Sequence, residues 1–225
     1  MLKILIVDDH PVVRSGLVQV LSSGFPTATV SEASNAAEAL ERIWNEHWDV
    51  VIVDISLPGK SGLDLLREIK MESPKLPVLI LSMHTEDQFA VRALRNGAAG
   101  YLTKETASQE LLMAVQKILG GGKYIRPSLA EKLVSHLELD STKSPHETLS
   151  DREFQVLRLI AAGRTSKEIA SELCLSIKTI STYRSRILEK MHMKNNSQLM
   201  RYALQNQLLT EPGTVKPGSP TIASS

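Results

Sequence analysis

Short apolar runs alternate with longer helical patterns along the first 120 residues of the chain. The runs are rich in Ile, Val and Leu and are bounded by polar residues, which is typical of parallel strands buried on both faces. Between them, apolar positions recur every three or four residues, as they do on one face of a helix. The pattern predicts an α/β fold with a doubly wound, five-stranded parallel sheet. Four strand runs lie at residues 4–7, 50–53, 78–81 and 100–102, and helices are predicted at 11–21, 36–44, 62–71, 87–96 and 108–119.

The alternation stops at three consecutive glycines, residues 120–122. Residues 1–120 therefore form the first predicted domain. Residues 121–148 are predicted to be a polar linker, in which residues 128–137 can form a short helix. Four closely spaced helical patterns in residues 149–209 predict a small all-α domain of four helices. The remaining residues, 210–225, are rich in Pro, Gly, Ser and Thr and are predicted to be a disordered tail.

Capping signals support the four helices of the second domain. Side chains of Ser, Thr and Asn accept hydrogen bonds from the free N–H groups of a first helical turn, and a Glu three residues later completes a capping box. Such residues stand where each helical pattern begins. They are Ser150 with Glu153, Thr165 with Glu168, Ser176, and Asn195 with Gln198.

Composition and charge narrow the class of protein. The chain is 42% hydrophobic and 23% charged, and its apolar runs are too short to span a bilayer, so we expect a cytoplasmic protein with no membrane contact. The single cysteine, Cys174, lies in a helical pattern and is expected to be a small buried hydrophobe. Residues 1–120 carry 11 Lys and Arg against 15 Asp and Glu, whereas residues 146–209 carry 10 against 6. The basic second domain favours a polyanionic partner.

Polar residues suited to phosphoryl transfer follow the strand runs. The carboxyl ends of parallel strands open onto one crevice, where three neighbouring carboxylates need a cation, and Mg²⁺ is the ion expected there. Each aspartate alone is most simply a turn former or helix cap. Together they favour phosphoryl transfer onto a carboxylate. The residues are Asp8 and Asp9 after the first run, Asp54 after the second, Ser82 after the third and Lys104 after the fourth.

Five motif positions of the first domain also share a characteristic order and spacing. They are Asp8-Asp9, Asp54 in Val-Asp-Ile-Ser-Leu-Pro-Gly, Ser82, and the run from Gly97 through Tyr101 to Lys104. On these residues the domain resembles the receiver domain of bacterial response regulators, in the CheY-like superfamily. Many relatives have proline after the lysine, whereas this chain has Glu105, which leaves the geometry of that loop open.

The resemblance implies a role for each of these residues. Asp54 would be the phosphoacceptor, and Lys104 would pair with the phosphoryl group. Ser82 and Tyr101 would form a switch pair, in which Ser82 bonds a phosphoryl oxygen and Tyr101 turns into the space vacated. The implied Mg²⁺ ligands are Asp9, Asp54 and the backbone carbonyl of Ser56, with Asp8 acting through metal-bound water.

The third helical pattern of the second domain has a two-sided character. At about 100° per residue it places apolar residues on one arc (Ile177, Ile180, Ile187, Leu188 and Met191) and small or basic ones on the other (Lys178, Ser181, Thr182 and Ser185). Such helices usually just face water. With the preceding helix and its short turn, however, the motifs Leu149-Ser-Asp-Arg-Glu153, Thr165-Ser-Lys-Glu-Ile-Ala170 and Leu175-Ser-Ile-Lys-Thr-Ile180 resemble the LuxR-type helix-turn-helix. The two domains together resemble the NarL/FixJ family.

The recognition helix departs from relatives that carry basic residues at the positions of Ser181 and Ser185. Lys178, Arg186 and Lys190 are therefore the predicted phosphate contacts, with Thr182 and Ser185 nearer the bases and Ser181 on the same face. Arg184 lies near the apolar arc, and its head is expected to reach either a phosphate or a carboxylate.

The resemblance implies a transcription regulator that a histidine kinase phosphorylates on Asp54. Its partners would be that kinase and double-stranded DNA, bound as a homodimer when phosphorylated, and the unphosphorylated receiver would cover the recognition helix. The chain would be no enzyme beyond its own phosphorylation and dephosphorylation. Two alternatives stay open. A phosphatase of the haloacid dehalogenase type would want a second Asp where Ser56 stands, and a constitutive binding module would use the receiver only for dimerisation.

Overall fold

The computed structural model describes residues 1–83, 88–126, 144–206 and 208–209. In the first domain the elements are β1 (Lys3–Val7), α1 (Pro11–Gly24), β2 (Thr29–Ala33), α2 (Ala36–Asn45), β3 (Val50–Asp54), α3 (Gly62–Glu72), β4 (Val78–Ser82), α4 (Gln88–Arg95), β5 (Gly100–Thr103) and α5 (Lys104–Leu119). In the second domain a 3-10 helix (Pro145–Thr148) precedes α6 (Asp151–Ala161), α7 (Ser166–Glu172), α8 (Ile177–Lys190) and α9 (Asn196–Gln205).

The five strands form one parallel sheet in the order β2-β1-β3-β4-β5, so the predicted fold class is confirmed. Successive side chains point to opposite faces of a strand. In β1, Ile4 and Ile6 pack with α1 and α5, whereas Leu5 and Val7 pack with α2, α3 and α4. Both faces of the sheet are thus covered, which explains why four strands consist almost wholly of apolar residues.

The edge strand β2 carries no continuous apolar run, and the hydrophobic pattern did not locate it. Its residues Thr29 to Glu32 are half-buried or exposed, and only Ala33 is buried. Helix α5 begins at Lys104, one turn before the predicted start at residue 108. The cause is Thr103, whose side chain accepts a hydrogen bond from the Thr106 amide and so caps the helix earlier.

The second domain is a bundle of four short helices around a common core. All four predicted caps form: Ser150 and Thr165 make complete capping boxes, and Ser176 and Asn195 accept from amides three residues on. The fully buried side chains that hold the bundle together are Phe154, Leu157, Ile169, Ile180, Ile187 and Leu199. The helix predicted at 128–137 and the tail at 210–225 lie outside the described residues.

Two expectations about buried apolar residues were wrong. Cys174 is exposed, because it follows the end of α7 with φ of 50°, a left-handed conformation that closes the turn of the helix-turn-helix. Ile177 is 52% exposed, because as the first residue of α8 it precedes the turn in which the apolar arc meets the bundle. In the part of the chain that the structure describes, no helix is long and apolar enough to cross a membrane.

The turn from β3 into α3 depends on close backbone packing at Gly62. Its amide donates to the Ile55 carbonyl at 2.9 Å, and a Cβ at this position would lie 2.0 Å from the Asp54 carbonyl oxygen. Because backbone atoms would have to shift, we expect Gly62→Ala to lower the free energy of unfolding by about 1–3 kcal/mol. Urea denaturation measures this change.

Gly16 provides the matched control. It lies within α1, where an added Cβ would meet no atom within 4 Å. Gly16→Ala is therefore expected to raise the free energy of unfolding by about 0.5–1 kcal/mol, as the alanine is the better helix former. Equal changes in the two variants would contradict the role given to Gly62.

Candidate functional site: an acidic cleft and a helix-turn-helix

The carboxyl ends of the strands bring the predicted cleft residues together. Asp8 follows β1 directly, Asp54 ends β3 and Ser82 ends β4. In the register of the sheet Val7 is opposite Val53, and Ser82 is opposite Thr103, the residue before Lys104. The side chains of Asp8, Asp54 and Ser82 are almost completely buried, so the polar groups line a recess in an apolar sheet edge.

A single ammonium group joins two of the carboxylates. The Nζ of Lys104 lies 2.6 Å from an Asp8 oxygen and 2.7 Å from an Asp54 oxygen. The lysine is itself only 8% exposed in its side chain. Like charges this close repel, and the cation between them reduces the cost of removing both from water.

Burial and neighbouring charges shift the pKa values of Asp54 and Lys104. Burial raises the pKa of Asp54, Lys104 partly opposes that shift, and the charge of Asp8 adds to it. Burial alone would lower the pKa of Lys104, but Asp54 and Asp8 prevail and raise it. The lysine therefore stays charged at neutral pH, and the Asp54 carboxylate is held in a setting that favours a neutral or esterified oxygen.

The mouth of the cleft can hold a metal ion. Ligand atoms of Asp8, Asp9, His10 and Asp54 all lie within 4.8 Å of one another. The buried atoms Asp8 Oδ2 and Asp9 Oδ1 contact the Lys104 Nζ at 2.6 Å and the His10 Nδ1 at 2.8 Å, respectively, and each carboxylate oxygen has further lone pairs. Carboxylate oxygens with unfilled lone pairs suit a hard divalent cation, so the residues fit such an ion.

The other predicted participants lie around this pair. Ser56 is half-buried, and its amide donates to an Asp54 oxygen at 3.2 Å, which fixes the start of the β3–α3 loop. Tyr101 is fully buried in β5. The side chain of His10 is 62% exposed, and its ring nitrogen lies 2.8 Å from Asp9.

The recognition helix α8 presents the predicted face to solvent. Lys178, Ser181, Thr182 and Ser185 are all exposed. Each of the three hydroxyls donates to the carbonyl four residues earlier, at 3.0 to 3.1 Å. A hydroxyl held in this way keeps its lone pairs directed outward, so the face remains able to accept hydrogen bonds from a ligand.

Two of the predicted DNA contacts also have partners inside the domain. The Nζ of Lys190 lies 2.6 Å from Glu153, a buried carboxylate at the start of α6. The Nε of Arg184 donates to the side-chain amide oxygen of Asn196 at 2.6 Å. Helical wheels place side chains on faces of their own helix, but they do not show neighbouring helices.

The domains meet through α6, whose N-terminal turn carries three charged residues in succession. Asp151 pairs with Arg67 of α3 and with Arg92 of α4. Arg152 donates to the carbonyls of Leu57 and Gly59 in the β3–α3 loop, at 2.8 and 3.3 Å. The ring of Phe154 packs edge-on against Phe89 of α4, centroid to centroid 5.3 Å.

This contact differs from the expected one, in which the receiver covers the recognition helix. Here the receiver packs on α6, and the contact face of α8 stays exposed. The physical reason is charge and shape: α4 offers Arg92 and an apolar ring to the acid and ring of α6. The sequence analysis did not predict this contact, because acidic residues are common in the first turn of a helix. Its four charged residues are Arg67, Arg92, Asp151 and Arg152.

Comparison with known proteins identifies both domains. A family model described as the response regulator receiver domain matches residues 4–116, and one for bacterial regulatory proteins of the luxR family matches residues 147–203. The chain is 36% identical over 215 residues to the oxygen regulatory protein NreC of Staphylococcus carnosus (strain TM300), covering 92% of this chain and 99% of that one. The chain belongs to the NarL/FixJ family of response regulators.

Solved structures of the response regulator RcsB resemble this response regulator over most of its length. RcsB from Salmonella enterica serovar Typhimurium, bound to the promoter P1flhDC with phosphomimetic BeF3-, is 28% identical, with a TM-score of 0.57 over 89% of this chain and 97% of that one. A structure of two RcsB dimers bound to two parallel DNAs is also 28% identical, with a TM-score of 0.56 over 90% and 98% of the chains. Receiver and DNA-binding domain together make this chain a regulator of transcription.

The raised pKa of Asp54 gives this response regulator a pH-dependent stability. Between the ordinary value of 3.8 and the raised one, the folded state keeps a proton that the unfolded state has lost. The free energy of unfolding therefore falls as pH rises through this window, by about 1.4 kcal/mol for each unit that separates the two values. We expect Asp54→Asn, which cannot ionise and leaves Asp8 to pair with Lys104, to lack this fall and to be the more stable protein at pH 7.

Urea denaturation from pH 4.5 to 8 measures the difference. Glu72→Gln removes an exposed carboxylate at the end of α3 and is expected to keep the pH profile of the unaltered protein. If Asp54→Asn showed the same pH profile as the unaltered protein, ionisation of Asp54 would not change the free energy of unfolding.

Proposed function

We propose that this response regulator accepts a phosphoryl group on Asp54 from a histidine kinase, and that the modification controls its binding to DNA. The observation that carries the proposal is the Lys104 ammonium held 2.7 Å from Asp54 and 2.6 Å from Asp8. A cation in this position offsets the charge of an incoming phosphoryl group as well as that of the nucleophile. The buried recess also excludes most water from the reacting oxygen.

The transfer forms a bond between an Asp54 carboxylate oxygen and phosphorus, while the bond from phosphorus to the donor's nitrogen breaks and its electron pair leaves with that nitrogen. Lys104 balances the new negative charge, and Ser82 is placed at the neighbouring strand end to donate a hydrogen bond. Asp8, Asp9 and Asp54, with the carbonyl of Ser56, would hold Mg²⁺. When bound, that ion neutralises phosphoryl oxygens during transfer.

The chain acts in this proposal on its own aspartate and is not a phosphatase of small molecules. A haloacid dehalogenase-type enzyme places a second acid two residues after the nucleophile, to protonate the leaving group. Here that residue is Ser56, and its amide rather than its side chain bonds Asp54. A serine hydroxyl is far too weak an acid to protonate an alcohol leaving group at neutral pH.

The proposed partners are double-stranded DNA and a second copy of the chain. The exposed hydroxyl and lysine face of α8 supports binding in a major groove. RcsB bound to a promoter with a phosphomimetic, and RcsB dimers on DNA, support a phosphorylated homodimer as the binding form. The proposed compartment is the cytoplasm, where both a kinase and the chromosome are accessible.

Phosphorylation of the full chain tests the first half of the proposal. With acetyl phosphate and Mg²⁺, the unaltered protein is expected to gain the mass of one phosphoryl group, because Asp54 is the single proposed acceptor. Asp54→Asn is expected to gain none. Asp49→Asn alters a carboxylate at the opposite end of β3, bonded to the Lys3 amide, and is expected to gain as much as the unaltered protein. Full incorporation in Asp54→Asn would refute Asp54 as acceptor.

Retention of a randomised duplex DNA pool tests the second half. We expect the phosphorylated protein to retain more DNA than the unphosphorylated protein at the same salt concentration. Equal retention would favour a constitutive binding module, in which the receiver serves only as a dimerisation surface.

Lys178 and Lys190 separate exposed from internally paired cations in DNA binding. Lys178 is exposed and makes no ion pair with any described residue, whereas Lys190 is paired with Glu153. We expect Lys178→Ala to weaken binding to all duplex sequences similarly and to reduce the slope of log affinity against log salt by about one, since one phosphate contact is lost. Lys190→Ala is expected to change that slope less. Identical slopes in the two variants would contradict the assignment.

A further inference from the structure

The loop that follows Asp54 is held by a residue of the other domain. Arg152 of α6 donates one guanidinium nitrogen to the carbonyl of Leu57 at 2.8 Å and to that of Gly59 at 3.3 Å. Its second nitrogen donates to Gln155 at 2.6 Å. These contacts join positions more than 90 residues apart in the chain.

The guanidinium of Arg152 is buried and makes specific hydrogen bonds, unlike a typical surface charge. Arg152 is only 3% exposed, and burial lowers its pKa. A buried cation is costly unless its donors are bonded, and the carbonyls of the loop supply much of that bonding. Gln155, one turn along α6 and also 3% exposed, fixes the fork in the direction of the loop.

The helix that carries Arg152 is itself anchored to the receiver. Asp151, the preceding residue, is 2% exposed and lies between Arg67 and Arg92. Arg92 also donates to the carbonyls of Leu149 and His146 at 2.9 and 2.5 Å. The start of α6 is thereby fixed against α3 and α4, so Arg152 meets the loop at a defined position.

Within its own domain, the loop has three further contacts in its outer half: the Lys60 amide donates to the Pro58 carbonyl at 2.9 Å, the Lys60 Nζ pairs with Glu68 at 2.6 Å, and the Leu57 side chain is buried. Its inner half is bonded to the sheet, through Ile55 to Leu81 and Gly62 to Ile55. Gly59 at the tip is exposed and adopts φ of 73°, and among the described residues none of its own domain donates to its carbonyl. Ser56, whose amide bonds Asp54, lies between the two halves.

We propose that Arg152 is a positioning residue for the phosphoacceptor site: docked across the domain contact, it orders the loop beside Asp54 and thereby prepares that site for the phosphoryl group. The inference rests on the proposed function, since it assigns Arg152 to the same reaction. Order imposed before reaction lowers the entropy lost when the site assembles around its ligands. By linkage, assembly of the site in turn favours the docked helix.

Hydrogen–deuterium exchange of the full, unphosphorylated chain tests the ordering itself. We expect Arg152→Met to raise the exchange rate of the Ser56 and Lys60 amides about threefold or more, because the outer half of the loop opens locally. Arg152→Lys, which keeps the charge and one donor within reach, is expected to restore part of the protection. Helix α4, the other side of the contact, is expected to keep its protection in both variants.

Arg158→Met is the matched control. The guanidinium of Arg158 lies 5.1 Å from the centre of the Phe89 ring, across the same domain contact but on α4 rather than on the loop. We expect this variant to leave the loop amides as protected as in the unaltered chain. Unchanged loop exchange in Arg152→Met would overturn the inference. So would equal increases over loop and α4 in both variants, since Arg152 would then be only part of the docking surface.

The rate of phosphorylation provides a second readout. With acetyl phosphate we expect Arg152→Met to be phosphorylated about three- to tenfold more slowly, with the rate recovering in part in Arg152→Lys. An unchanged rate with a loosened loop would also overturn the inference. Absence of phosphorylation in the unaltered chain would instead refute the proposed function, and the exchange experiment would still report on the loop.

Discussion

Two carboxylates at the ends of neighbouring strands are buried so completely that their charges need a fixed counter-ion. Asp8 and Asp54 receive it from Lys104, which follows β5 and reaches past the end of β4 to contact both. This interaction depends on the strand order. The order β1-β3-β4-β5 places the two aspartates on adjacent strands and the lysine two strands from Asp54. The apolar sheet keeps the three groups poorly solvated: burial raises the pKa of Asp54, whereas the charges of Asp54 and Asp8 raise that of Lys104.

The contact between the domains follows the same physical pattern. Asp151 is buried beside two arginines, and burial raises its pKa while Arg67 and Arg92 oppose the shift. Removing one partner of such a cluster leaves a buried charge without compensation, which costs more than the intact cluster contributes. The domain contact is therefore selective for its partners more than it is strong.

The outline of the fold and the residues of the cleft could be predicted from the sequence, since both follow from local rules. Apolar runs locate buried strands, and parallel strands open at one edge, so Asp8, Asp54 and Lys104 had to converge. Capping residues such as Ser150 and Thr165 act within three positions of themselves. The features that the sequence did not reveal depend on neighbours distant in the chain: the polar edge strand β2, the pairing of Lys190 with Glu153, and the bonds of Arg152 to the loop. No pattern along one helix records which other helix lies beside it.

Three consecutive charged residues at the start of α6 have three different destinations. Asp151 contacts α3 and α4 of the receiver, Arg152 contacts the loop after Asp54, and Glu153 contacts Lys190 at the end of the recognition helix. Successive residues of a helix point about 100° apart, so the residues of one turn can contact three different surfaces. Glu153 also completes the capping box with Ser150, which makes this turn rigid. One helical turn therefore contacts both the loop beside Asp54 and the end of the recognition helix.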